Sequence, residues 1–283
     1  MRKLFGLIGN PVQHSLSPLM HNDAFKTLQL PYYYHAFLVK EEHLKKAIDG
    51  MKVLGISGFN VTIPHKVEIL QYLDEIDEEA KIIGAVNTVV LEDGKYKGYN
   101  TDGQGFYESL VELVGPTVTN KKVLLIGAGG AARAIYTTLV RRGIKRVDIA
   151  NRSKERAEKL VHYCRKDANT NLYSLEEAHL LTGNYDILIN TTSVGMSPHI
   201  DAVPLSLEYV KEQTVVADII YTPLKTKWLQ EAEKKGAIPL NGVPMFINQG
   251  ALAFEKWTQI KPNRERMQKV VLEQLGGNTF VNR

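Results

Sequence analysis

Three polar clusters in the N-terminal part of the chain have the residue types and spacing that carbonyl chemistry requires. Each stands where an apolar run gives out. The segment Asn60-Val61-Thr62-Ile63-Pro64-His65-Lys66 sets an ammonium beside two hydrogen-bonding side chains. Asn60 and Thr62 project to one side of a strand, whose side chains alternate with period two. Asn87-Thr88 and Asn100-Thr101-Asp102 place amides, hydroxyls and a carboxylate ahead of a helical pattern over Gly103–Val114. A lysine can give a proton to an oxygen as electrons reach its carbon, and a carboxylate can position a neighbouring hydroxyl. The third cluster, Gly9-Asn10-Pro11-Val12-Gln13-His14-Ser15-Leu16-Ser17-Pro18, offers the hydroxyls of Ser15 and Ser17 and the amides of a helix start, a combination that holds a carboxylate. Plainer uses stay open beside these. Ser17 before Pro18 suits an N-cap with proline at N1, Asp102 suits an N-cap, and Lys66 suits a surface charge. His14, His21 and His65 are rival proton donors, but none has an evident acidic partner nearby in sequence.

Proton transfer to a carbonyl needs a source of electrons, and the middle of the chain suggests one. The run Lys122-Val123-Leu124-Leu125-Ile126 leads into Gly127-Ala128-Gly129-Gly130-Ala131-Ala132-Arg133 and then a helical pattern. A strand, a G-x-G turn and a helix start leave amides free at a positive helix end, where a dinucleotide pyrophosphate sits; Ala132 is a permitted third residue. Glycine turns of this kind also arise for steric reasons alone. The next strand candidate, Val147-Asp148-Ile149-Ala150, ends in Asn151-Arg152-Ser153, with Arg156 one helical turn on. Two guanidiniums and a hydroxyl, with no carboxylate for a ribose hydroxyl, suit a 2′-phosphate and favour NADP over NAD. The alternative is a helix capped by Ser153 with two solvated arginines, although cations oppose the dipole at that end.

The elements that must position these residues follow an α/β rhythm. Strand candidates Leu4–Ile8, Tyr32–Val39, Gly58–Thr62 and Asn87–Leu91 alternate with helical stretches over Pro18–Leu28, Glu41–Leu54 and His65–Leu73. From residue 121 the strands are Val123–Ile126, Val147–Ala150, Asp186–Asn190, Val215–Ile219 and Ala237–Leu240, the pattern of a parallel sheet covered on both faces. Two such units in series imply two α/β domains with a cleft between them. The tail reads as two helices, Pro244–Trp257 and Asn263–Leu275. With 283 residues, 44% of them hydrophobic, the chain is large enough for two cores. A net charge of +4 spread along the chain argues against nucleic acid and suits small anions. No apolar run reaches membrane-spanning length and no signal peptide opens the chain, so a cytoplasmic protein is expected. The one cysteine, Cys164, falls on an apolar helical stripe and is expected to be a buried thiol, and no metal-site spacing appears.

Taken together, Gly9-Asn10-Pro11 with His14–Pro18, Asn60–Lys66, Gly84-Ala85-Val86-Asn87-Thr88, Asn100-Thr101-Asp102-Gly103, the glycine turn, Asn151–Arg156 and Gly242–Gln249 resemble the shikimate dehydrogenase family over essentially the whole length. The resemblance implies NADP-dependent, reversible reduction of 3-dehydroshikimate to shikimate, a step toward chorismate and the aromatic amino acids. It implies that Lys66 donates and accepts the proton in partnership with Asp102. Ser15 and Ser17 would hold the substrate carboxylate, and Asn60, Thr62, Asn87, Tyr221 and Gln249 would line the substrate site. Gly127, Ala128, Gly129, Gly130 and Ala131 with Asn151, Arg152, Ser153 and Arg156 would bind NADP, and Ile219 and Gly242 would lie near its nicotinamide. Residues 1–103 would form a substrate domain completed by helices within 243–283, and 104–242 an inserted Rossmann-type NADP-binding domain. A monomer or homodimer acting on small molecules, without nucleic acid or membrane, is expected. Phe246 stands where relatives more often carry Leu, a matter of packing. Relatives that also oxidise quinate share most of these residues, and a metabolite sensor without turnover should have lost Lys66 or Asp102.

Overall fold

The computed structural model describes residues 2–164 and 170–276 and the side chains of these except Tyr163 and Cys164, so the thiol expected to be buried at Cys164 lies outside the described residues. The chain divides into two compact units, Met1–Gly105 with Ile247–Arg283, and Phe106–Phe246.

The first unit holds β1 (Lys3–Gly9), α1 (Ser17–Thr27), β2 (Tyr32–Leu38), α2 (Leu44–Val53), β3 (Gly58–Val61), β4 (Glu75–Ile76), α3 (Glu78–Ile83), β5 (Thr88–Glu92) and β6 (Lys95–Tyr99). Its sheet runs β2-β1-β3-β5-β6-β4. The pairs β1·β2 and β1·β3 are parallel, whereas β3·β5 and β5·β6 are antiparallel. One face buries Ile8, Phe59, Val61 and Val89 against Leu44, Ile48 and Met51 of α2. The other carries an aromatic cluster in which Phe5 lies 5.1 Å from Trp257 and Phe25 lies 5.1 Å from Phe254. The indole Trp257 Nε1 donates to Val89 O at 2.9 Å, and Arg266 grips Asp23 through two 2.7 Å bonds. The returning C-terminal helices are thereby part of this unit's core.

This unit departs from the sequence expectations in several places: β4 and α3 are additions, and two further differences follow. The stretch His65–Leu73 forms only a short 3₁₀ turn, Glu68–Tyr72. The Lys66 carbonyl accepts from Val86 N at 2.8 Å, so it does not support a continuing helix. The strand β6 is an addition, joined to β5 through Asp93 (φ 48°) and Gly94 (φ 77°), an Asp-Gly hairpin turn.

The second unit contains most of α4 (Asp102–Val114), β7 (Lys122–Ile126), α5 (Gly130–Arg141), β8 (Arg146–Ala150), α6 (Lys154–Cys164), β9 (Leu172–Tyr173), α7 (Leu175–Leu181), β10 (Ile187–Asn190), β11 (Val215–Asp218), α8 (Lys227–Lys234), β12 (Ile238–Leu240) and the start of α9 (Val243–Thr258); α10 (Arg264–Gln274) belongs to the first unit. All its strand pairs are parallel, in the order β12-β11-β10-β7-β8-β9. This is the doubly wound arrangement, whose strand order reverses between β7 and β10. Both faces are covered, and that explains the unbroken apolar runs. Val123 and Leu125 face a core shared with Ile135 and Leu139 of α5, while Leu124 and Ile126 face Trp228 and Leu229 of α8.

Candidate active site

In the first unit, the strand-end side chains converge on one carboxylate. Lys66, in the turn after β3, places Nζ 2.6 Å from Asp102 Oδ2. Asp102 is the first residue of α4, and its other oxygen accepts from Asn87 Nδ2 at 2.8 Å. The lysine side chain keeps 20% of its surface open, against 6% for the carboxylate, so the ammonium is the accessible member of the pair. Asn87 Nδ2 also lies 2.9 Å from Thr101 Oγ1 and 3.4 Å from Gln249 Oε1. Gln249 reaches this point because Gly105 lets the two helices touch: a Cβ there would sit 2.6 Å from Gln249 N. The expected cluster of Lys66, Asp102, Asn87 and Gln249 is therefore a single constellation.

Asn60 is nearly buried and faces inward, with Oδ1 accepting from Tyr34 Oη at 2.8 Å and Nδ2 donating to Asn87 O and Thr88 Oγ1 at 3.1 Å each. Thr62 follows β3 and is half-buried. Ser17 is not the N-cap of α1: it is the first helical residue, and Leu16 occupies the cap. The Ser15 hydroxyl accepts from Ser17 N at 3.3 Å and lies 3.2 Å from Ser17 Oγ. The two serines thus form one hydroxyl pair at the helix start.

The rival histidines are differently placed. His65 is buried, with Nε2 2.7 Å from Val39 O. His21 is fully buried among Tyr34, Phe254 and Trp257, and neither ring nitrogen has a partner among the described residues. Burial drives its pKa down to about 3. His14 is exposed.

In the second unit, the glycine turn follows β7 at the strand-order reversal. Gly127 has φ +110°, and a Cβ there would come within 2.6 Å of Thr191 Oγ1, so both conformation and space demand glycine. Gly129 is the N-cap of α5 and supplies no side-chain hydrogen bond to the first amides. Open space surrounds Gly129 and Gly130, where a Cβ would meet nothing within 4 Å, and Ala128 and Ala131 are half-buried. A pyrophosphate fits this uncapped, open helix end. Ala132 is fully buried under the turn. Past β8, Asn151 Nδ2 donates to Ser153 O at 2.7 Å, shaping the loop that carries Arg152 into α6, whose first turn carries Arg156; both arginines are exposed.

The remaining expected residues follow β11 and β12. Ile219 N donates to Asn190 O at 3.2 Å, and Gly242 N to Ile220 O at 2.9 Å, which draws Ile219 and Gly242 together. Tyr221 packs its ring 4.9 Å from that of Phe246, and burial pushes its phenol pKa up. Phe246 thus serves packing. Underneath, Asp218 accepts from Asn190 Nδ2, Thr226 Oγ1 and Ile220 N at 3.1, 2.9 and 3.0 Å. Its burial raises the carboxyl pKa to about 6 despite those bonds. Tyr34 and Asp218 were not singled out by sequence. An aromatic in a strand and an acid at a strand end carry no signal of their partners.

Comparison with known proteins identifies the family of this chain. Family models match in three segments: the shikimate dehydrogenase substrate binding domain over residues 7–89, shikimate/quinate 5-dehydrogenase over 109–219, and the shikimate 5′-dehydrogenase C-terminal domain over 242–272. A shikimate dehydrogenase (NADP(+)) of Geobacillus sp. (strain WCH70) is 55% identical over 277 residues, covering 98% of this chain and 100% of that protein. A crystal structure of a shikimate dehydrogenase in complex with NADP+ is 47% identical and superimposes with a TM-score of 0.90 over 97% of this chain and 96% of that one. The shikimate 5-dehydrogenase of Listeria monocytogenes, solved with shikimate and NAD, is 38% identical with a TM-score of 0.89, covering 95% of this chain and 96% of its own. The chain belongs to the shikimate dehydrogenase family.

Proposed function

We propose that this protein catalyses the NADP-dependent reduction of 3-dehydroshikimate to shikimate and the reverse oxidation. The observation that carries this reading is the ammonium–carboxylate pair of Lys66 and Asp102, 2.6 Å apart and braced by Asn87, in a chain 55% identical to a shikimate dehydrogenase (NADP(+)). A sensor without turnover has no use for such a pair.

NADPH, when bound, supplies a hydride to the carbonyl carbon. Lys66 gives a proton to the carbonyl oxygen as negative charge develops there, and takes it back in the oxidative direction. Its partial exposure lets solvent restore the proton. Asp102 orients the ammonium, and Asn87 holds the carboxylate from its other side. Asn87, Gln249, Thr62 and Tyr221 bind the ring hydroxyls. Ser15 and Ser17 hold the substrate carboxylate through hydroxyls at the start of α1. The turn Gly127–Ala131 receives the pyrophosphate, Asn151, Arg152, Ser153 and Arg156 receive the 2′-phosphate, and Ile219 and Gly242 face the nicotinamide. Residues 1–103 with the C-terminal helices serve as the substrate domain, and 104–242 as the NADP domain.

No described helix is long and apolar enough to cross a membrane. The working form is a cytoplasmic monomer or homodimer acting on small molecules. The test is the appearance of NADPH on adding shikimate to protein and NADP, with quinate and NAD in parallel. The expected result is a kcat/KM highest for shikimate with NADP. Absence of shikimate-dependent NADPH across a range of pH would refute the proposal, and equal use of quinate would make the enzyme a broad quinate/shikimate dehydrogenase.

A further inference from the structure

The network behind Lys66 extends to a residue with no expected part in the reaction. We propose that Tyr34 is a positioning residue of this active site, whose hydroxyl, through Asn60 and Thr88, holds Asn87 in the orientation that braces Asp102. The proposal rests on the assignment of Lys66 and Asp102 as the catalytic pair.

Fixed backbone groups set the direction of every bond in this chain. Asn87 O, which can only accept, lies 3.1 Å from the Asn60 amide, so that atom is Nδ2. Asn60 Oδ1 is then turned to Tyr34, and the phenol must donate to it across 2.8 Å. Asn60 Nδ2 also donates to Thr88 Oγ1, which leaves the Thr88 proton for Asn87 Oδ1 at 3.0 Å. At the far end, Thr101 N donates to Asn87 Oδ1 at 2.8 Å, which aims Asn87 Nδ2 at Asp102. Both polar atoms of the Asn60 side chain thus have partners within the protein, which ties the residue into the network behind Asn87.

Tyr34 is well anchored for this task. It is fully buried, its backbone N and O are held by Asn22 at 2.8 and 2.9 Å, and its ring stacks on His21 at 4.6 Å. Burial pushes the phenol pKa up and keeps the hydroxyl in its neutral, donating form. Removing its hydroxyl strips the buried Asn60 Oδ1 of its donor and leaves the amide held only through Nδ2. A catalytic group displaced by a fraction of an ångström loses much of its advantage.

The test uses the full-length protein with shikimate and NADP. Tyr34→Phe keeps the ring and its stacking; Thr88→Val cuts the next link with shape retained. Each single variant is expected to lower kcat about tenfold, to displace the pH profile of kcat, and to leave KM for NADP unchanged. The double variant is expected to be no slower than the slower single one, because both cut the same chain. A parental kcat and pH profile in Tyr34→Phe overturns the proposal, as do multiplicative losses in the double variant. If Tyr34→Phe does not fold, Thr88→Val alone decides by the same kcat and pH readings. Failure of the unmodified protein to oxidise shikimate would instead refute the proposed function.

Discussion

The two units carry their polar groups on different parts of the chain. In the mixed-sheet unit they are side chains that hold one another: Lys66 on Asp102, Asp102 on Asn87, Asn87 on Thr101 and Gln249. In the parallel unit the corresponding feature is main chain, an uncapped helix start after Gly127, and two exposed arginines follow the next strand, β8. Interlocked side chains suit proton transfer, which tolerates little displacement. Backbone amides suit the pyrophosphate common to both nicotinamide dinucleotides, and leave the choice between them to the few side chains near the ribose. Substitutions in the first unit should therefore damage the chemical step, and substitutions in the second should alter cofactor preference.

The sharpest break in that comparison comes from Lys66→Ala. We expect kcat to fall by about 10²–10⁴, the range for loss of a general acid–base group, while KM for shikimate changes far less. Steady-state kinetics with saturating NADP measure both, and a nearly intact kcat would remove Lys66 from the mechanism. Next in size are Arg152→Ala and Arg156→Ala. On the proposed assignment each loses a charge-assisted bond to the 2′-phosphate, and KM for NADP should rise about 10- to 100-fold with NAD kinetics nearly unchanged. An equal loss with both cofactors would mean that the arginines only support the fold.

The smallest expected effect separates the units by pH. Burial holds the folded pKa of His21 at about 3, against an ordinary value of 6.5, so the unfolded chain takes up its proton first as acid is added. The stability it permits is present above pH 6.5 and lost as pH falls toward 3, by at most about 1.4 kcal/mol per pH unit. Asp218, raised to about 6 from 3.8, contributes with the opposite sign: its share is present below 3.8 and lost as pH rises through about 6. Melting curves from pH 4 to 7 should show a shallower acid loss in His21→Leu than in the parent protein. Parallel curves would contradict the assignment of that slope to His21.

The candidate site was legible wherever a polar group interrupts an apolar strand. Lys66, Asp102 and Asn87 stand out because strand ends are where an α/β sheet exposes its chemistry, and Gly127 because its position in a strand-to-helix turn demands glycine. The parallel unit was legible almost strand for strand, since buried central strands are unbroken apolar runs. What escaped depends on distant contacts. Alternation gives the face on which Asn60 lies, yet not that Tyr34, 26 residues earlier, waits there. The expected helix at His65–Leu73 gave way to a tertiary bond from Val86, which no local propensity encodes. The short strands β4 and β9 have two residues each, too few for a period. The hairpin strand β6 is a different matter, because Asp93-Gly94 announces it.

The bonds made by the last helices bear on the order in which the molecule is built. Trp257 reaches back 168 residues to Val89, and Arg266 reaches back 243 to Asp23. The parallel unit is one continuous stretch, Phe106–Phe246, and all of it precedes Trp257 and Arg266 in synthesis. The unit that carries Lys66 begins the chain yet closes its aromatic core last, waiting with Phe5 and Phe25 uncovered until its final segment is synthesised. Birth order and completion order are reversed, and the half that carries Lys66 is the one a premature stop codon would leave unfinished.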